Sequence, residues 1–412
     1  MKWLATGLTS IAVFTNGALA AQTRSDSTPA RPLSLGAAIA IARQNNPDLR
    51  IVRTLTDSAL GELRIARAIP NPVVAGIPNV PYQYSATLPV DVGPQRWRRT
   101  AVARLAVNAT RLDTQDSERL LATAVARLYF DILLADARRE ITTSRRDVVR
   151  QLVGADSARV RAGDLPERAL FRSQVELVKA EADLSRSIVD AQAGRLALQG
   201  LMGVDRPDTA LTLTGTLAYA EVPIDASDAA LAVAIGQRPD VRAAQQREAQ
   251  AGAVAGLASA AMIPIPQLSV VRQFNAPFES GRYTSLGIGL EVPLLNQYAG
   301  QRERAAAGRV AASTALRRTE AAARRDIITA RAEFMAQRSL VKRYQAGVLS
   351  TLEQNVDATR YAYVRGAASL LEVLDALRAR QDVLADYNAA LHDYWVSVHA
   401  LRAALGVRDD TT

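Results

Sequence analysis

The chain has 412 residues, a formal charge of +9, no cysteine, and 5% aromatic against 49% apolar residues. Without cysteine there are no disulfides, thiolate metal centres or cysteine nucleophiles, and an apolar but aromatic-poor composition suits long helices better than an aromatic-cored globule. The arginines are spread among Asp and Glu rather than gathered in a basic block with interleaved aromatics, so nucleic acid is not the expected partner.

Lys2, the apolar stretch Leu4 to Phe14 and the small-x-small site Ala18-Leu19-Ala20 read as a secretory signal peptide over residues 1–20. Thr9, Ser10, Thr15 and Asn16 interrupt it, whereas a membrane anchor needs roughly 20 apolar residues. With no cysteine near the cleavage site the mature end cannot carry a lipid. No later stretch is apolar and long enough for a transmembrane helix. Residues 21–32 read as a disordered leader.

A helix over Ala37 to Gln44 stops before Asn46-Pro47-Asp48. Pro47 suits the first position of the next helix, where its missing N–H costs nothing and Asn46 can cap. That helix, Asp48 to Ala68, ends at Pro70-Asn71-Pro72. Val73 to Val92, broken at Pro78-Asn79-Val80-Pro81, predicts two short strands. Arg96 to Val160 holds no proline, and at 1.5 Å per residue it spans on the order of 95 Å. Leu105/Leu112, Leu121/Leu128 and Val125/Ile132 recur in it at heptad spacing. The turn Arg161-Ala162-Gly163-Asp164 follows. Leu170, Leu177, Leu184, Ala191 and Leu198 then fall seven apart, which calls for a returning coiled-coil helix.

After a linker at 205–226 the plan repeats. Ala230 to Ala234 and Arg238-Pro239-Asp240-Val241-Arg242 match Ala38 to Ala42 and Asn46-Pro47-Asp48-Leu49-Arg50 at an offset of 192. Pro264-Ile265-Pro266 echoes the first Pro-x-Pro. Strands over Gln267 to Phe274 and Tyr283 to Pro293 flank a loop, Asn275 to Arg282. A second long helix runs from Gln301 to Val364, turns at Arg365-Gly366 and returns through Leu370, Leu377, Leu384, Leu391, Val398 and Leu405. Gly163 and Gly203-Val204 align with Gly366 and Gly406-Val407 at an offset of 203. The chain is a tandem duplication, 33–204 and 227–407, with a tail at 408–412.

The segment Ser285 to Val292 alternates small or polar with apolar residues, the period of a strand with two different faces. Each run is near the 9–11 residues of a tilted membrane strand. Tyr82, Tyr84, Phe274, Phe278 and Tyr283 lie in or near the strands and loops, with Trp97 and Tyr298 just past them, as interfacial aromatic girdles do. The pattern alone fits a small soluble β-layer equally well. Four strands cannot close a barrel, however, and an open edge cannot face lipid. Strands that span a membrane here require several chains, and three would supply twelve strands.

In the order of both halves, in the paired Pro-Asp-hydrophobic-Arg helices and in Leu371-Glu372-Val373-Leu374-Asp375-Ala376 after the second turn, the chain resembles the TolC-like outer-membrane efflux channels. The resemblance spans about Leu33 to Val407. It implies a mainly α fold with a small β part: a homotrimer whose helical coiled-coil tunnel is continuous with a twelve-stranded β-barrel, four strands per chain. It also implies an outer-membrane location in a Gram-negative-type cell, with a long periplasmic extension. The implied role is the passive exit duct of a tripartite efflux system, joined through a periplasmic adaptor to an inner-membrane pump, with small-molecule or metal-ion cargo. A type I protein-secretion channel is the alternative within the family. A periplasmic coiled-coil adaptor is the alternative of another class, but it should carry one hairpin and a lipoyl-like domain.

The resemblance further implies that the adaptor meets the two turns, at Arg161, Gly163, Asp164, Val364, Arg365, Gly366 and Ala367. Glu372 and Asp375 match the acidic positions that ring the periplasmic entrance. The chain departs from the pattern at Ala368, where the family's best-known member carries an arginine that helps hold the entrance shut; Arg365 or Arg161 is the candidate substitute. No catalytic constellation, cofactor-binding loop or metal-ligand set is legible, and the expectation is a non-enzyme without cofactors. His392 and His399, seven apart on one helix, read as packing or surface, and Met202, Met262 and Met335 as core filling.

Overall fold

The computed structural model describes residues 32–78, 82–91, 93–225, 227–276 and 279–407. The signal peptide, the leader up to residue 31, the tail and Phe278 lie outside the described residues. Thirteen elements form two runs of the same order. The first is α1 (Leu35–Asn45), α2 (Pro47–Arg67), β1 (Val73–Ile77), β2 (Tyr82–Pro89), α3 (Pro94–Arg161) and α4 (Glu167–Leu201). The second is α5 (Asp228–Gln237), α6 (Pro239–Ala260), β3 (Gln267–Ala276), β4 (Glu279–Gly289), α7 (Ala299–Gln345), α8 (Val348–Val364) and α9 (Leu370–Ala404).

Local chemistry sets the boundaries. Side-chain oxygens of Ser34, Asn46, Ser227 and Ser369 accept from the backbone N–H three residues on, capping α1, α2, α5 and α9. Pro47, Pro94 and Pro239 occupy first-turn positions. α3 is one continuous helix of 68 residues, about 100 Å long at 1.5 Å per residue. Its counterpart is not continuous. The expected helix from Gln301 to Val364 breaks at Gly347, whose φ of 123° no helix accommodates, and becomes α7 and α8.

The four strands form one antiparallel sheet in the order β1-β2-β3-β4, so the two repeats join at β2–β3. The expected strand ends need correction at three places. β1 and β2 hold five and eight residues rather than 9–11, because prolines without an N–H stand at both ends of β1 and at the end of β2. β4 stops at Gly289 rather than Pro293, because its partner strand begins at Gln267. The loop expected over Asn275 to Arg282 is largely strand, since the ladder continues to the Ala276–Glu279 pair through an irregularity after Phe274. Backbone pairing there needs no apolar side chains.

Register sorts the side chains onto two faces. One face carries Leu88, Leu268 and Ile288, then Ala86, Val270 and Leu286, then Tyr84, Arg272 and Thr284, and finally Tyr82, Phe274 and Arg282. The other carries Gln83, Ser85, Thr87, Ser269, Gln273 and Ser285, interspersed with Val73, Ala75 and Ile77 of β1 and with Val271, Tyr283 and Gly287. On the apolar face Leu286 and Ile288 are 77% and 78% exposed. Tyr84 meets Phe274 edge-on at 6.1 Å, and Arg272 and Arg282 lie over the Phe274 ring at 5.4 and 5.8 Å. An apolar band edged by aromatic and cationic residues, backed across β2, β3 and β4 by a more polar face, resembles the build of membrane barrel strands. Among the described residues no helix is long and apolar enough to cross a membrane.

The helices pack around two equivalent cores. In the first repeat Leu35 and Ile39 of α1 meet Val125, Tyr129 and Ile132 of α3 and Leu198 of α4. In the second, Leu231 of α5 meets Ile327 and Phe334 of α7 and Leu391, Tyr394 and Leu401 of α9. Full burial of such side chains contributes about 1.5–3 kcal/mol each. α4 buries a second heptad that the leucine spacing conceals: Ser173, Ala180 and Ser187, continued by half-buried Gly194. A Cβ on Gly194 would stand 3.1 Å from Ile132, so these small residues let the helices approach closely.

Two motifs that look unrelated in the sequence are contact partners. Asn46 Nδ2 donates to the Leu201 carbonyl at 2.8 Å, and its counterpart Arg238 NH1 donates to the Ala404 carbonyl at 3.3 Å. The helix pair before the sheet therefore docks on the end of the returning helix in both repeats. Gly203 makes this contact possible. Its φ is +70°, and a Cβ there would meet the Asn45 carbonyl oxygen at 2.5 Å. Gly163 has φ +81° with open space around it. Gly163→Ala should cost only the left-handed backbone penalty of about 1–2 kcal/mol. Gly203→Ala should cost about 1–3 kcal/mol more, because backbone must move. Thermal unfolding of the two variants checks this, with the larger drop expected for Gly203→Ala and an equal drop counting against it.

Candidate functional site

The turns at Gly163 and Gly366 are built alike. The Gly163 N–H donates to the Val160 carbonyl and the Asp164 N–H to the Arg159 carbonyl, at 3.0 and 2.9 Å. The Gly366 N–H donates to Tyr363 and the Ala367 N–H to Ala362, both at 2.9 Å. This is the Schellman arrangement, which satisfies the last helix carbonyls and needs a left-handed residue at its centre. Gly163 and Gly366 supply it, with φ of 81° and 74°. Arg161, Gly163, Asp164, Arg365, Gly366 and Ala367 are all exposed. Val364 is the last residue of α8.

A small core joins the two hairpins just behind these turns: Leu152 of α3, Val356 and Tyr363 of α8, and Val373 and Leu377 of α9. Within it the Tyr363 hydroxyl donates to Asp156 Oδ1 at 2.6 Å. Asp156 is 0% exposed, and its Oδ2 has no hydrogen-bond partner among the described residues. Burial, and then the adjacent Asp156 carboxylate, push the Tyr363 phenol up to about 12. Arg159 lies 5.9 Å from the centre of the Tyr363 ring. Nearby, Arg360 of α8 donates to Gln151 of α3 at 2.6 Å. Sequence reasoning missed the Tyr363–Asp156 pair, whose members lie 207 residues apart.

Glu372 and Asp375 are both exposed in the opening turns of α9. The Ser369 hydroxyl accepts from the Glu372 N–H at 3.3 Å and donates to its carboxylate at 3.2 Å. Asp375 stands 3.6 Å from Arg378, which also reaches Glu176 of α4 at 3.6 Å. A hydrogen bond from Lys179, outweighing the effect of burial, holds the Glu176 carboxyl below its ordinary range. Arg378 therefore joins Asp375 to the first hairpin, a partner the sequence did not suggest. Arg365, one candidate to hold the entrance shut, lies 4.6 Å over the Tyr361 ring of its own helix.

The two histidines divide by role. His392 sits between α9 and α3, with Nε2 2.7 Å from Asp131 and Nδ1 2.9 Å from Asp393. Burial alone would lower its pKa, but hydrogen bonds and charge from the two aspartates outweigh that and raise it. His399 is 2% exposed and packs 5.6 Å from the Phe130 ring. Among the described residues no group of three or more His, Cys, Asp or Glu is arranged to hold a metal ion.

This architecture, a two-faced four-stranded sheet on a duplicated helical hairpin body, is that of the outer-membrane channels. The fold matches the channel-forming protein CusC with a TM-score of 0.74 at 20% identity, over 91% of this chain and 92% of that one. It matches the CmeC outer membrane channel of Campylobacter jejuni with a TM-score of 0.77 at 15% identity, over 90% of this chain and 85% of that one. Residues 230–407, from α5 through the end of α9, match the family described as outer membrane efflux protein. The chain is also 23% identical over 389 residues to the cobalt-zinc-cadmium resistance protein CzcC of Cupriavidus metallidurans, covering 92% of this chain and 91% of the relative. The resemblance to outer-membrane efflux channels thus holds in both sequence and fold.

Proposed function

We propose that the protein is the outer-membrane exit duct of a tripartite efflux system, a homotrimer that passively conducts metal ions handed over by an inner-membrane pump and its periplasmic adaptor. The observation that carries this reading is the sheet, with an exposed apolar face, a more polar face behind it and, among the described residues, no ladder on the outer edges of β1 and β4. Lipid tolerates such a sheet only when other copies complete the barrel. Three copies give twelve strands, and the helices below give a tunnel on the order of 100 Å long. Ile51 and Leu55 of α2, Val178 of α4 and Ile328 of α7 are exposed in a single chain, which suits surfaces covered by neighbouring copies. Residues 1–20 direct export, and the repeats 33–204 and 227–407 each supply two strands and one hairpin to the wall.

Metal-ion cargo is favoured by the similarity to a cobalt-zinc-cadmium resistance protein along nine-tenths of both chains. The exposed Glu372 and Asp375 agree with it, since six carboxylates around one constriction attract cations. In this reading α8, set off from α7 at Gly347, is the movable part of the entrance. The Tyr363–Asp156 hydrogen bond holds it against α3 in the closed state, in place of the arginine that Ala368 replaces. In planar bilayers the Glu372→Gln/Asp375→Asn double variant should lose most of the cation selectivity of the parent channel. Unchanged selectivity would remove the acidic ring from the account.

The turns at Arg161 to Asp164 and Val364 to Ala367 form the adaptor-docking end, where glycine allows close backbone approach. Gly366→Trp should abolish metal tolerance in cells carrying the cognate pump and adaptor while leaving the assembled channel in the membrane. Full tolerance with that variant would place docking elsewhere.

A further inference from the structure

Where α9 of the second repeat lies against α3 of the first, His392 stands between two carboxylates. Its Nε2 is 2.7 Å from Asp131 of α3, and its Nδ1 is 2.9 Å from Asp393 of α9. An ionised carboxylate only accepts hydrogen bonds, and a neutral imidazole has a single N–H to give. Both contacts are therefore satisfied together only by the imidazolium, which donates from each nitrogen. The His392 side chain is 12% exposed, against 40% and 54% for Asp131 and Asp393. The cation is shielded while both of its partners keep water.

The charges around this pair are otherwise committed or turned outward. On α3, Asp136 is taken by Arg195 at 2.8 Å, and Arg127, one turn before Asp131, is exposed. On α9 the neighbouring ionisable residues are the exposed Asp386 and, two turns on, His399, which packs against Phe130. α7 meets α9 through the buried Leu391, Tyr394 and Val398. Its Arg331 pairs with Asp228, and its Arg338 and Lys342 pair with Glu221. The rest of the contact beside His392 does not titrate: Phe130 stacks on Trp395 at 5.5 Å.

Nor does the hairpin plan itself demand a histidine. At the offset of 203 that relates Gly163 to Gly366, His392 corresponds to Val189 of α4, which is 60% exposed. The first repeat builds the same helix without the ion pair.

We propose that His392 is a proton-operated clasp between the two repeats: charged, it bridges Asp131 and Asp393 and draws α9 onto α3; neutral, it releases one aspartate and slackens the seam. Burial opposes the charge, but the hydrogen bonds and charges of the two aspartates outweigh it, so the folded pKa stands above the unfolded one. The contribution of the clasp is then complete below the unfolded pKa of ~6.5 and is lost as pH rises through the folded pKa.

The test uses full-length, detergent-solubilised protein carrying Trp3→Phe and Trp97→Phe. Trp395, one turn from His392, is then the single tryptophan. Its emission should change in one step as pH rises, with a midpoint above the ~6.5 of an ordinary histidine. His392→Gln should remove that step, and Asp131→Asn should lower its midpoint. The melting temperature of the parent should exceed that of His392→Gln at about pH 6, and at least half of that gap should close by about pH 9.5. A histidine that merely fills space gives a constant gap. A constant gap, no step in the parent, or a step that survives in His392→Gln overturns the proposal.

Discussion

A strand that faces lipid must find partners for every backbone N–H and C=O within protein, because the hydrocarbon offers none. The sheet here meets that demand only in its interior. Among the described residues its outer edges, on β1 and β4, carry no ladder, while one face presents leucine, isoleucine and valine outward. Neither water nor lipid suits such an object as a single chain. Water would wet the apolar face, and lipid would leave two rows of polar groups unsatisfied. Completion by further copies relieves both, and the proposed trimer meets that requirement.

The helical body is organised by duplication at the level of contacts as well as sequence. In each repeat a short helix, a proline-started helix and the end of the returning helix meet at one junction, through Asn46 and Leu201 in one and Arg238 and Ala404 in the other. The second junction carries more charge. Arg238 pairs with Asp240 at 2.7 Å and with Asp326 at 3.1 Å, and it is nearly fully buried. The segment joining the repeats is pinned between them. Tyr394 donates to the Ala220 carbonyl and Trp395 to the Ala218 carbonyl, both at 2.8 Å, while the Tyr129 hydroxyl reaches the Leu33 and Thr214 carbonyls. Aromatic residues are few, and several are spent on this joint.

What the sequence reveals is whatever a single residue or a strict period dictates. Gly163, Gly203, Gly366 and Gly406 are legible because each adopts a left-handed conformation at the end of a long heptad helix. Pro47 and Pro239 are legible because a proline ahead of an amphipathic run favours the first position of a helix. The break at Gly347 is not legible: Gly61, Gly154 and Gly308 lie inside continuous helices, so glycine alone does not say where a helix stops. The small-residue seam of α4 is hidden because serine and alanine do not register as apolar periodicity. In the candidate site the turns were visible for the same reason as the other glycines. The Tyr363–Asp156 bond and the Arg378 bridge were not, because their partners meet only after two hairpins have packed side by side.

In the proposed barrel β1 of one copy pairs with β4 of the next. The chain contains no cysteine, so cysteine pairs introduced across these edges report on that pairing alone. Oxidation in intact membranes of a panel combining Ala75→Cys or Gly76→Cys on β1 with Thr284→Cys or Leu286→Cys on β4 should yield covalent dimers and trimers, with no larger species. Recovery of only uncrosslinked or internally crosslinked single chains across the whole panel would contradict it.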